Sequence, residues 1–217
     1  MIGAETSCFG GQLYYDVLTQ EDLDAIGSCT TLETNLWIFA NITNITIPAT
    51  LQTIKEQLYI RSSRVETFQA PGLRTVGLGI GSGSLQTRDC PLLASASFPQ
   101  LTTVGGDFEL TDSSTVHPSY LFPRLEQVNH DFIVVGNFDK LSFPNLKIVG
   151  GGVNIQSSSP SFRCPFPEIR TNGVIQGNGF ICSGNIENPS WKMTGANKSA
   201  DFGIVPADTS TSVMSSK

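Results

Sequence analysis

The residues best placed to do chemistry are acidic. Asp107 and Asp131 stand 24 positions apart (131 − 107), Glu109 follows the first by two residues, and His130 adjoins the second. A retaining glycoside hydrolase holds two carboxyls about 5 Å apart, one as nucleophile and one as acid and base. Neighbouring strands of a sheet lie about 4.8 Å apart, so two aspartates at equivalent positions of adjacent strands would meet that spacing. The same residues have a structural use, because aspartate at a turn edge binds nearby backbone N–H groups. With two histidines and no Gly-x-Ser-x-Gly nucleophile motif in the chain, structural aspartates are the favoured reading. A polysaccharide-cleaving enzyme is the alternative.

Two further sets of side chains stand out. Trp37, Phe39 and Tyr59, with Arg61 beside them, could present flat aromatic faces for stacking on sugar rings or on a protein partner. The five cysteines are Cys8, Cys29, Cys90, Cys164 and Cys182, and they include no Cys-x-x-Cys and no Cys/His ligand spacing. No metal and no other cofactor is therefore expected. One unpaired cysteine and two bridges allow fifteen connectivities (5 × 3).

What positions these residues is a repeat. Apolar residues recur at offsets 0, 3, 7 and 9: Leu51, Ile54, Leu58 and Ile60, then Leu101, Val104, Phe108 and Leu110. The frame continues with Leu125, Val128, Phe132 and Val134, and with Leu146, Val149, Val153 and Ile155. Cys29, Leu32, Leu36 and Ile38 form the first copy, and Leu73, Val76, Ile80 and Ser82 an imperfect one. A second frame places two alternate apolar residues before a proline, as in Phe98-Pro99, Phe122-Pro123 and Phe143-Pro144, and its six prolines, Pro48 to Pro167, recur every 21 to 28 residues.

Alternate apolar residues mark short strands with one buried face. Proline lacks a ladder donor and belongs at a corner. Each repeat is then one coil, and coils stack so that equivalent strands form parallel sheets, with each coil stabilised by its neighbours. The expected fold is all-β: a right-handed parallel β-helix-like solenoid with a short N-terminal capping helix at Thr19-Gln20-Glu21-Asp22. Phe98, Phe122, Phe143 and Phe166 should stack inside it. The expected organisation is a cap over residues 1–28, six coils over 29–167, a C-terminal cap over 168–190 and a hydroxyl-containing tail over 191–217. On the outer face the frame aligns Trp37, Tyr59, Gly81, Glu109, Ile133 and Asn154 in one row. Phe39, Arg61, Gly83, Thr111, Val135 and Gln156 form the next. Cys8 with Cys29, and Cys164 with Cys182, would each tie a cap to its coil, leaving Cys90 in an insertion over Ser82 to Ala94.

The bulk properties agree with a surface protein and exclude some partners. Net charge is −6 with only 15% charged residues, and the isoelectric point is about 4.8. Without clustered Lys and Arg, neither nucleic acid nor an anionic membrane is an expected partner. Asn41-Ile42-Thr43, Asn44-Ile45-Thr46 and Asn197-Lys198-Ser199 are glycosylation sequons, which places Asn41, Asn44 and Asn197 as candidate sites. Asn41 suits a glycan better, because Asn44 abuts an inward position. Residues 1–6 carry no signal-peptide pattern and the end carries no apolar tail, so the secreted reading expects a portion of a longer protein.

The segment Thr-Gln-Glu-Asp-Leu-Asp-Ala-Ile-Gly-Ser-Cys over 19–29, the Phe-Pro-x-Leu-x-x-Val coils and the closing Gly-Asn-Gly-Phe-Ile-Cys over 177–182 resemble the fungal GPI-anchored cell-wall organisation proteins. Those are related to sporulation-specific surface proteins and to receptor L-domains. The resemblance implies an extracellular glycoprotein of the wall or outer plasma membrane, held there by a lipid anchor and without catalytic residues. It also implies structural roles for Cys8, Cys29, Cys164 and Cys182. The expected function is non-catalytic wall organisation, through binding of glucan or a surface partner; a receptor-type ligand-binding module is the alternative.

Overall fold

The computed structural model describes residues 6–62, 64–78, 83–112, 119–164, 174–177 and 179–184. The strands form three parallel sheets that run the length of a β-solenoid. The first sheet stacks seven two-residue strands from Ser7–Cys8 through Thr31–Leu32 to Ile148–Val149. The second stacks eight longer strands from Tyr14–Val17 and Asn35–Ile38 to Val153–Ser157 and Phe180–Ser183. The third has five, from Asn44–Thr46 to Lys140–Ser142.

Register follows the apolar frames. Leu36, Leu58, Leu85, Phe108, Phe132 and Val153 align across the long-strand sheet, and each is buried. The Phe-Pro corners are tight turns in which the N–H of Leu101, Leu125 and Leu146 reaches the carbonyl of Phe98, Phe122 and Phe143. Proline then occupies the second turn position, where its fixed φ is already suitable. At another corner glycine is required by contact: a Cβ on Gly105 would lie 1.5 Å from the Gly77 carbonyl oxygen.

The interior ladder begins one coil earlier than the frame suggested. Phe68, Phe98, Phe122 and Phe143 stack at centroid distances of 5.3, 5.4 and 5.1 Å. Phe108 meets Phe122 edge-on at 4.9 Å and locks the ladder to the long-strand sheet. Phe166 lies outside the described residues, as do the tail and Asn197. Cys164, read as an inward residue, is exposed; Phe162 is buried in that region and packs on Phe138 at 4.9 Å.

The imperfect copy needs correcting. Its long strand is Leu85–Arg88, paired with Leu58–Arg61 and Phe108–Asp112. The step from the last short-strand residue to this strand is nine residues (85 − 76), against four in the coils on either side, 58 − 54 and 108 − 104. A five-residue insertion therefore hides the frame, and the outer rows contain Gln86 and Arg88 where Gly81 and Gly83 were expected.

The segment read as a cap also holds strands. Ser7–Cys8 and Tyr14–Val17 pair in register with Thr31–Leu32 and Asn35–Ile38, which adds a coil at the N-terminal end. In that coil the helix Gln20–Ala25 takes the place of the third strand. Thr19 caps it, and Asp22 completes a reciprocal capping box. Leu23 and Ile26 are fully buried. The Gln20 amide covers the open edge of the third sheet: its Nε2 donates to the Thr46 carbonyl at 3.0 Å, and its Oε1 accepts from the Thr46 N–H at 3.2 Å. One side chain thus supplies the donor and acceptor that a further strand would have offered.

Disulfides join Cys8 to Cys29 and Cys164 to Cys182. Cys90 is buried, and its thiol donates to the Arg88 carbonyl at 3.3 Å.

Candidate ligand-binding face

The outward side of the long-strand sheet gathers the aromatics at its N-terminal end. Trp37 and Tyr59 are register partners, so strand pairing sets their spacing. Their rings meet edge-on at 6.4 Å, and Phe39 approaches Trp37 at 6.2 Å and Tyr59 at 6.0 Å. Tyr14 joins them, stacked on Trp37 at 5.0 Å with only 4° between the planes. Phe39 is 38% exposed and Tyr14 is 49% exposed; Trp37 and Tyr59 are half-buried.

Tyr14 was not visible as a member of the cluster. Its strand lies seven residues beyond Cys8 (15 − 8, counting to the first inward residue), where the next coil takes four (36 − 32), so the loop around Gly10-Gly11 displaces the frame. The alternation Tyr15-x-Val17 was the available signal.

Polar side chains hold the face in place. Trp37 Nε1 donates to Gln57 Oε1 at 3.2 Å, and Gln57 Nε2 donates to Gln86 Oε1 at 2.9 Å. Arg61 pairs with Asp89 at 2.8 Å, both side chains being more than half exposed. Its charge is therefore already compensated beside the aromatics. Arg88 clasps Glu109 through two nitrogens at 3.0 and 2.8 Å. That hydrogen-bonded carboxylate raises the Arg88 pKa above its usual value, against the opposing effect of burial. Further along the sheet the outward positions Glu109, Ile133 and Asn154 are buried, so the accessible aromatic face is confined to the first coils.

The acidic pair has a different arrangement. Asp131 donates its backbone N–H to Asp107 Oδ1 at 3.1 Å, and Gly152 donates its N–H to Asp131 Oδ1 at 2.7 Å. Asn35 and Ser84 accept from the N–H of Gln57 and Asp107 in the same way, each at 3.1 Å. These residues sit one position before the first inward residue of each long strand and form a polar ladder along the corner. Each side chain satisfies a backbone donor of the following coil that no strand pairing reaches. His130 Nδ1 stands 3.9 Å from Asp107 Oδ1. Among the described residues no group of three or more His, Cys, Asp or Glu could hold a metal ion. No helix among them is long and apolar enough to cross a membrane.

The sequon asparagines differ in setting. Asn41 is exposed beyond the long strand Asn35–Ile38. Asn44 begins a strand, where its Oδ1 accepts from Thr67 Oγ1 at 2.6 Å and its Nδ2 donates to Thr43 Oγ1 at 3.3 Å.

Known proteins share this sequence at moderate identity. A cell surface GPI-anchored protein of Arthroderma benhamiae is 27% identical over 152 residues, covering 70% of this chain and 37% of the relative. Protein ecm33 of Aspergillus fumigatus is 30% identical over 156 residues, covering 71% and 36%. Sporulation-specific protein 2 of Saccharomyces cerevisiae is 25% identical over 166 residues, covering 72% and 32%. The homologues of this chain are fungal cell-surface and cell-wall proteins. Against these three the chain spans about a third of the relatives' length. No protein-family model and no solved structure matches the chain.

Proposed function

We propose that this chain is a non-catalytic, extracellular scaffold of a fungal-type cell surface, which contributes to wall organisation by holding wall glucan on its aromatic face. The observation that carries this reading is the aromatic cluster of exposed Tyr14 and Phe39 with half-buried Trp37 and Tyr59, set on paired strands. A solenoid does not repack easily, because each strand is hydrogen-bonded to its neighbours, so its rings are held in a fixed array. Sugar rings present C–H faces that suit the electron-rich face of an aromatic ring. The surface nature of the homologues supports the location, and disulfides at both ends suit an oxidising compartment.

The test is co-sedimentation of the purified, disulfide-bonded chain with particulate β-glucan, and with chitin for comparison. Two lost ring faces, at about 0.5–1.5 kcal/mol each, predict that Trp37→Ala with Tyr59→Ala weakens glucan binding at least roughly fivefold. The far-UV spectrum should stay that of the parent, and the double variant should still unfold cooperatively, from a midpoint lowered by the ring contacts it loses. Unchanged sedimentation of a folded double variant would sink the glucan reading.

A further inference from the structure

Asn41 stands at the border of the aromatic face, in the sequence Phe39-Ala40-Asn41-Ile42-Thr43. The chain remains extended there. Phe39 donates its N–H to the Val17 carbonyl at 2.9 Å, which carries the ladder one residue past the strand, and the Ala40 carbonyl accepts from Ser62 Oγ at 2.6 Å. Burial alternates in step: Ile38 and Ala40 are fully buried, whereas Phe39 and Asn41 are exposed. Alternate residues of an extended chain share a face and lie roughly 7 Å apart. A sugar on the Asn41 amide therefore starts within reach of the Phe39 ring.

We propose that Asn41 carries an N-linked glycan whose first sugar lies against Phe39, while Asn44 stays unmodified. The co-reactant is a lipid-linked oligosaccharide diphosphate. Asn41 Nδ2 forms a bond to the anomeric carbon of the first sugar as the bond from that carbon to the diphosphate oxygen breaks. One amide proton is lost to the transferring enzyme, the lipid diphosphate leaves, and nothing is oxidised or reduced. Phe39 gives the attached sugar an apolar surface that the unfolded chain lacks, so the contact stabilises the fold. Asn44 lies only three residues on, so a glycan already on Asn41 obstructs the transferring enzyme there, and the bare Asn44 amide then takes its place against Thr67 and Thr43 in the edge strand. A first sugar on Phe39 occupies one ring of the aromatic face, so the glucan reading then rests on Tyr14, Trp37 and Tyr59.

This modification requires the extracellular route proposed above, but it does not require glucan binding. The test uses the full chain secreted from a eukaryotic host behind a heterologous signal sequence. Glycopeptide mass mapping should find sugar on Asn41 and a bare Asn44. Thermal unfolding is then compared for the parent, Asn41→Gln, Phe39→Ala and the double variant, with Phe39→Leu as a milder companion. Loss of the glycan should lower the midpoint by roughly 2–4 °C when Phe39 is present, and leave it unchanged when Phe39 is alanine. A bare Asn41 in a secreted, disulfide-bonded chain overturns the modification and leaves the wall reading standing. An occupied Asn41 whose removal shifts both backgrounds equally overturns the contact with Phe39. Five free thiols in the secreted chain would overturn the extracellular reading as well.

Discussion

Phe122→Ala removes the centre of the interior ladder and should test the whole packing scheme. The ring is fully buried. It stacks on Phe98 at 5.4 Å and on Phe143 at 5.1 Å, and it meets Phe108 edge-on at 4.9 Å. Truncating a buried phenylalanine costs about 3–5 kcal/mol through lost transfer energy and the cavity left behind. A value near 4 kcal/mol is expected, because the backbone on both sides is tied into parallel sheets and cannot collapse far into the void. Domains are stable by only about 5–15 kcal/mol, so most of the margin would be lost. In urea, with a slope of about 2 kcal/mol/M, the midpoint should fall by about 2 M. The neighbouring residue provides the control. Leu121 ends the strand Ser119–Leu121 just before Phe122 and is 48% exposed, so Leu121→Ala should shift stability by no more than about 0.5 kcal/mol. Because each coil is stabilised by its neighbours, the Phe122 variant can also separate unfolding of the N-terminal coils from the rest, seen as a second transition. A Phe122→Ala cost below about 1.5 kcal/mol, or one no larger than that of Leu121→Ala, would refute the interior-ladder argument.

Two other predictions concern the N-terminal end. The Cys8–Cys29 bridge spans 21 positions, so replacing both cysteines by serine should cost about 3 kcal/mol in chemical denaturation; a loss under about 1 kcal/mol would show that strand pairing alone holds this end. The Asp22 carboxyl is held below its ordinary pKa of 3.8, first by the backbone N–H of Leu18, then by the N–H and hydroxyl of Thr19. A depressed folded-state pKa means that this stabilisation is present above the ordinary value and is lost as pH falls through the folded one. Protection of the Leu23 amide, taken as its exchange rate relative to the intrinsic rate at the same pH, should therefore fall on acidification below about pH 4 in the parent. In Asp22→Ala that protection should already be low and should not change over the same range, and identical protection profiles would remove the capping box as the cause.

How much was legible in the sequence varies with the range of the interaction. The coils could be read from Leu51 to Ile155 because in a solenoid the same short-range alternation recurs in every coil, and burial requires the same residues each time. The helix Gln20–Ala25 was equally plain, since Thr19 and Asp22 satisfy its first turn from within the segment. Loop insertions defeated the frame at Tyr14–Val17 and Leu85–Arg88, because a local pattern carries no record of how far the chain loops out between strands. Asp107 and Asp131 showed the limit of residue type alone. Their alignment was readable, but the backbone donors they serve belong to other coils.

Sequence periodicity by itself determined the solenoid, most of its inward rows, the stacking of Phe98, Phe122 and Phe143 and the corner prolines, since each follows from side-chain alternation within one coil. Tertiary structure alone decided that Tyr14 stacks on Trp37, that Gln20 closes a sheet edge 26 residues away, and that Arg61 and Arg88 are already paired. The physical reason is common to all of these. They depend on register between coils, which is set by hydrogen bonding and packing across a whole turn of the solenoid.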